Sequence, residues 1–159
     1  MNVLAARISI MLGSVTLFVF GVAHLHGTFF STDLYPADPD LIMKLKSSSI
    51  EMDVSGNLWK LWIGFNAMFS VGLIFIGCIN LYLFARKFQL LTGLHFILLL
   101  TIISNVFFVW VGYQYMITRF TISMAIPLLL FITGVTLKLF KSLHISNENE
   151  TNPNLSSGD

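Results

Sequence analysis

The sequence predicts an all-α protein: a four-helix transmembrane bundle, antiparallel and up-down-up-down, with one long loop between helices one and two. Three observations carry this expectation. Four apolar runs, at 8–28, 58–85, 88–115 and 120–141, each reach the ~20 residues with which a helix crosses ~30 Å of hydrocarbon. Formal charges stay at the ends of these runs, and all acidic residues fall in loop or tail. The links at Arg86-Lys87 and at Met116 to Arg119 are too short for anything but antiparallel neighbours. Composition agrees, since 55% hydrophobic against 11% charged residues fits exposure to lipid better than a soluble core.

The first span follows a start that is basic at Arg7. Met1 to Arg7 with the small-x-small triplet Gly21-Val22-Ala23 has the look of a signal peptide. The apolar stretch is long for one, and three later spans need a partner to restore an even count, so it is expected to remain. The loop 29–57 follows. Within it Asp38-Pro39-Asp40 reads as an N-cap, a proline in the first turn and an acid beside the positive helix end, which predicts a short helix over 39–46. Beyond Ser47-Ser48-Ser49, Ile50, Met52 and Val54 alternate with Glu51, Asp53 and Ser55, a strand-like stretch expected to lie extended across the bundle mouth. Pro127 should kink the fourth span. One transmembrane domain, 1–143, is thus followed by a tail, 144–159, whose Asn, Ser and Glu content predicts disorder.

Lysine and arginine near the span ends set the orientation. Arg7, Arg86, Lys87, Lys138 and Lys141 fall on one side, while the opposite side carries a loop in which acids outnumber bases. Both termini are therefore expected in the cytoplasm, with the protein a multi-pass component of the cell membrane. Trp59, Trp62, Trp110, Tyr113 and Tyr115 gather at the predicted outer boundary, where amphipathic rings settle. A net charge of +1 without a basic cluster leaves no nucleic-acid partner to expect; membrane lipids are the partners, and a membrane-protein partner is the other candidate. Cys78, the single cysteine, has no disulfide partner in the chain.

Catalytic patterns are absent: no phosphate-binding glycine loop, no nucleophile elbow, no H-E-x-x-H and no paired intramembrane carboxylates. No catalytic residue, metal site or cofactor is expected. His24 and His26 lie two apart, on nearly opposite sides of a helix, so they cannot chelate together, and His95 is too distant in depth for a bis-histidine haem. Polar residues in hydrocarbon need a partner or water, which makes the stripes informative. Ser9, Gly13, Thr16, His24 and Gly27 share a sector of the first span; Asn66, Ser70, Gly77 and Asn80 of the second; Thr101, Asn105 and Gly112 of the third; Ser123, Pro127 and Gly134 of the fourth. Helix packing explains the small residues. His24, Asn66 and Asn105 lie at similar depth, and they invite a ligand reading: a small polar pocket in the outer half, rimmed by Trp59, Trp62 and Trp110, for a lipid- or quinone-like molecule. Two alternatives stand beside it, a hydrogen-bonded lock without a ligand and an assembly subunit docking through its phenylalanine-rich faces.

The segment Gly21-Val22-Ala23-His24-Leu25, with Trp59, Trp62, Gly64, Phe65, Asn66, Ser70, Gly72 and Leu73, resembles a family of small bacterial four-span membrane proteins without an assigned activity. The patterns are G-x-x-H-L and W-x-x-W-x-G-F-N-x-x-x-S-x-G-L, and the likeness covers the first half of the chain. It implies a four-helix fold in the bacterial cytoplasmic membrane and brings His24, Trp59, Trp62, Gly64, Phe65, Asn66 and Ser70 forward.

Overall fold

The computed structural model describes residues 3–93 and 95–151, with side chains over 4–85 and 96–140. Helices α1 (Val3–Phe30), α2 (Pro39–Ser47), α3 (Leu58–Gly93), α4 (His95–Tyr115) and α5 (Thr118–Thr151) account for nearly all of it, with two short strands, β1 (Ser49–Ile50) and β2 (Asp53–Asn57). The all-α class is as predicted. α1, α3, α4 and α5 each contain a stretch long and apolar enough to cross a membrane, at Leu4–Phe30, Leu58–Ala85, Phe96–Tyr115 and Thr118–Phe140. The chain is therefore a multi-pass integral membrane protein.

Several boundaries differ from expectation for identifiable reasons. The turn placed at Arg86-Lys87 is helical, and α3 runs on to Gly93. Arginine and lysine are good helix formers, and a charge marks where lipid ends rather than where hydrogen bonding stops. The tail expected to be disordered from residue 144 is helical to Thr151. Adding a residue to an existing helix costs far less than nucleating one, and no proline intervenes before Pro153. Residues 152–159 lie outside the described residues, as do the side chains of His95 and His144. α5 is one continuous helix across Pro127, which is fully buried.

The chain divides into two compact units. The loop-bearing unit comprises residues 17–78 and the terminal unit residues 1–16 and 79–159. In the loop-bearing unit α1 and α3 are antiparallel, in a register set by two glycines. A Cβ on Gly21 would stand 2.9 Å from the Ser70 oxygen and the Ile74 nitrogen; one on Gly77 would stand 2.7 Å from the Phe18 nitrogen. Only hydrogen fits between these backbones. The loop holds α2 as predicted, with Asp38 Oδ1 accepting from Asp40 N at 2.9 Å. The stretch expected to lie extended instead folds back as a hairpin, with Ile50 paired to Asp53. Asp53 Oδ1 accepts from Ser55 N and Ser55 Oγ at 2.9 and 2.7 Å, a local bond that favours turning over extension. Asn57 then caps α3 by accepting from Lys60 N at 2.9 Å.

In the terminal unit the start of α1 packs antiparallel on α5. A Cβ on Gly13 would meet the Phe131 ring, one on Gly134 would meet Ile10 and Ala6, and Ser9 Oγ donates to Leu130 O at 2.7 Å. Ile10, Met124 and Phe131 form its buried core. α4 and α5 join through a tight turn at Met116-Ile117, where Phe120 packs into the space left by Gly112.

Candidate functional site

The register that Gly21 and Gly77 impose carries one turn further, to His24 on α1 and Asn66 on α3. His24 Nε2 stands 3.0 Å from Asn66 Oδ1. Asn66 Nδ2 donates to Trp62 O at 2.8 Å, and because a carbonyl only accepts, this contact fixes which way the amide points. Oδ1 therefore faces the imidazole, and Nε2 must be the nitrogen that carries the proton. Both ends of the Asn66 amide are used. In that tautomer Nδ1 carries a lone pair, and no hydrogen bond reaches it among the described residues. The ring is half-buried and packs edge-to-face on Phe69, centroids 5.4 Å apart.

One turn nearer the loop, Trp59 and Trp62 stack at 5.3 Å with 22° between their planes. Tyr35 of the loop closes on both, edge-on to Trp59 at 4.8 Å and to Trp62 at 6.1 Å. Lys46 of α2 sets its ammonium 5.3 Å over the Trp59 ring. Loop and α3 are thus tied by an aromatic cluster. Beside it a shallow groove of about 500 Å³ is lined by Phe29, Phe30, Ser31, Thr32 and Tyr35.

Of the residues singled out for ligand binding, His24, Trp59, Trp62, Asn66 and Ser70 belong to this loop-bearing unit, and Asn105 and Trp110 to the terminal unit. Ser70 is fully buried and donates to Asn66 O at 2.8 Å; its hydroxyl serves the helix rather than a cavity. Trp110, about half exposed, lies against Phe107 and Tyr115. Asn105 is fully buried and donates to Thr101 O at 2.7 Å, while Asn80 Nδ2 donates to Thr101 Oγ1 at 3.0 Å. The side-chain oxygen of Asn105 accepts nothing among the described residues. His26, two residues from His24, lies instead against Phe30, the rings tilted by 35° with centroids 5.5 Å apart.

Tyr35 escaped the sequence reading. Its one signal was an aromatic side chain in a polar loop just before Pro36, a neighbour that biases the backbone towards extension. Asn80 was legible only as one of a stripe, because nothing local tells which of several polar residues will face another helix. Among the described residues no three His, Cys, Asp or Glu side chains gather to hold a metal ion. The chain matches no family model, no curated protein and no solved structure.

Proposed function

We propose that the protein binds a lipid- or quinone-like molecule through a donor on its polar head, with His24 Nδ1 as the receiving atom. The observation that supports this is the division of labour at the His24–Asn66 pair. Asn66 spends its oxygen holding the imidazole in one tautomer and its nitrogen on Trp62 O, leaving a single, oriented acceptor on a half-buried ring. Such an acceptor suits a hydroxyl or amine, as on a quinol or a lipid head group, and the Trp59–Trp62–Tyr35 cluster offers flat apolar surface at the level where head groups lie. The distribution of lysine and arginine supports placing this end of the helices on the outer face of the cell membrane, with both termini cytoplasmic.

The test is mild extraction of the protein followed by mass spectrometry of what travels with it. One molecular species, enriched over bulk membrane lipid, is expected with the unmodified protein and is lost in His24→Phe. That variant keeps the ring contact with Phe69 and deletes the acceptor, and its melting curve establishes that the fold survives. Identical lipid profiles from both proteins refute the reading. A stable complex with a second membrane protein in native electrophoresis, together with an unenriched lipid profile, replaces it with the assembly role.

A further inference from the structure

We infer that the end of the terminal unit opposite the Met116-Ile117 turn binds the phosphate of an anionic phospholipid, with Arg7 and Lys138 as its cationic ligands. The site is separate from the His24 acceptor, which belongs to the loop-bearing unit. Its cations are scattered along the sequence, and the fold gathers them. A Cβ on Gly134 would stand 3.1 Å from Ala6 O, so α1 and α5 are in close contact there. Arg7 follows Ala6, and Lys138 stands one turn beyond Gly134. α3 joins them, because the Arg7 guanidinium lies over the Phe84 ring, 5.9 Å from its centroid. Arg86 and Lys87 come within one turn of Phe84 on that helix, as Lys141 does of Lys138 on α5. Three helices thus carry five cationic residues to one end. No acid offsets them: residues 1–16 and 79–147 contain no Asp or Glu, and Glu148 stands about 10 Å of helical rise beyond Lys141.

Such an end calls for an anion, and its surroundings say that the anion carries acyl chains. Arg7 and Lys138 fall within the lipid-crossing stretches Leu4–Phe30 and Thr118–Phe140, each close to the end of its stretch, so their charges sit at the edge of the hydrocarbon. Leu4 and Ile8 beside Arg7 are 66% and 43% exposed, and Leu139 and Phe140 beside Lys138 are 49% and 68% exposed. A free phosphate would leave these apolar side chains uncovered, whereas a phospholipid lays its chains on them while its phosphate accepts from the cations. The Phe84 ring holds the flat guanidinium fork, which suits two oxygens of one phosphate. A head group with net negative charge, such as phosphatidylglycerol, fits an end rich in cations and free of acids better than a zwitterionic one, whose ammonium these cations would repel.

Native mass spectrometry of the full chain in detergent, titrated with phosphatidylglycerol or with phosphatidylcholine of the same acyl chains, tests this. Phosphatidylglycerol should bind severalfold more tightly. Arg7→Gln and Lys138→Gln should each weaken its binding about fivefold, the equivalent of ~1 kcal/mol per cation near a membrane surface. Arg119→Gln, at the other end of α5, should leave it unchanged. Melting curves establish that each variant folds, and if Arg7→Gln does not, Lys138→Gln decides. Equal affinity for the two lipids overturns the proposal, as does an equal loss in Arg119→Gln. Inorganic phosphate that displaces the lipid at similar concentration also overturns it, because the site then takes a free anion.

Discussion

At the scale of single residues, the bond between His24 and Asn66 joins two helices at a point where lipid offers no substitute partner. Interhelical hydrogen bonds in membrane proteins average about 0.6 kcal/mol, and the strongest reach ~1.7. A double-mutant cycle with His24→Phe and Asn66→Leu, read by reversible unfolding in detergent or bicelles, should give a coupling within that range. Zero coupling would mean the two side chains do not meet. The glycines divide just as sharply. Gly21→Val forces a branched side chain against the Ser70 oxygen and should cost about 1–3 kcal/mol, the usual penalty for overpacking. Nothing lies within 4 Å of a Cβ on Gly64 or Gly72, so Ala at either should be neutral, or stabilising by up to roughly 1 kcal/mol through helix propensity. Equal losses at Gly21 and Gly64 in thermal melts would contradict the close approach of α1 to α3. Gly64 stands out in the sequence as clearly as Gly21 does, yet only the packing separates their roles.

Among the elements, the loop is where titration matters. Hydrogen bonds from the Ser55 hydroxyl and the Ser55 backbone hold the Asp53 carboxyl below its ordinary pKa. A depressed carboxylate contributes stability that is present above its unfolded pKa and lost as pH falls through its folded one. The β1–β2 hairpin is therefore expected to loosen as pH drops below the normal carboxylate range, with faster amide exchange over 49–57. In Asp53→Asn the neutral amide still accepts a hydrogen bond, so the pH dependence should vanish while the hairpin persists. If the acid-induced change is the same in both proteins, Asp53 is not its origin. The α2 cap illustrates what sequence can say about such elements: Asp38, Pro39 and Asp40 act within one turn, and their local chemistry was readable. The hairpin was misjudged because alternation records which side chains share a face and is silent on where a chain reverses; Asp53 turning onto Ser55 decided that.

At the scale of the molecule, the proposed topology, with both termini cytoplasmic, makes a prediction that labelling can check. With Cys78 replaced by serine, single cysteines at positions 33–55 should react with an impermeant thiol reagent in intact cells. A cysteine at position 145 should react only after permeabilisation. Labelling of position 145 from outside would invert the orientation and move the aromatic cluster to the inner face. The helices beyond the spans show where hydropathy stops being a guide. α3 and α5 continue past their apolar stretches, to Gly93 and Thr151, because a helix that is already nucleated needs no lipid to extend.

Sequence alone determined that this chain is all-α, that it crosses a membrane through four helices, and that its loop carries a capped helix. These properties follow from length and hydropathy summed along the chain and from a bilayer that forces every backbone group to bond within its own segment. Only the tertiary structure decided that His24 meets Asn66, that Asn80 meets Thr101, and that Tyr35 closes on Trp59 and Trp62. Those meetings depend on how far each helix is rotated and slid against the next. On helices apolar around most of their girth, that choice is made where backbones come close enough to exclude a side chain, at Gly21 against Ser70 and at Gly77 against Phe18.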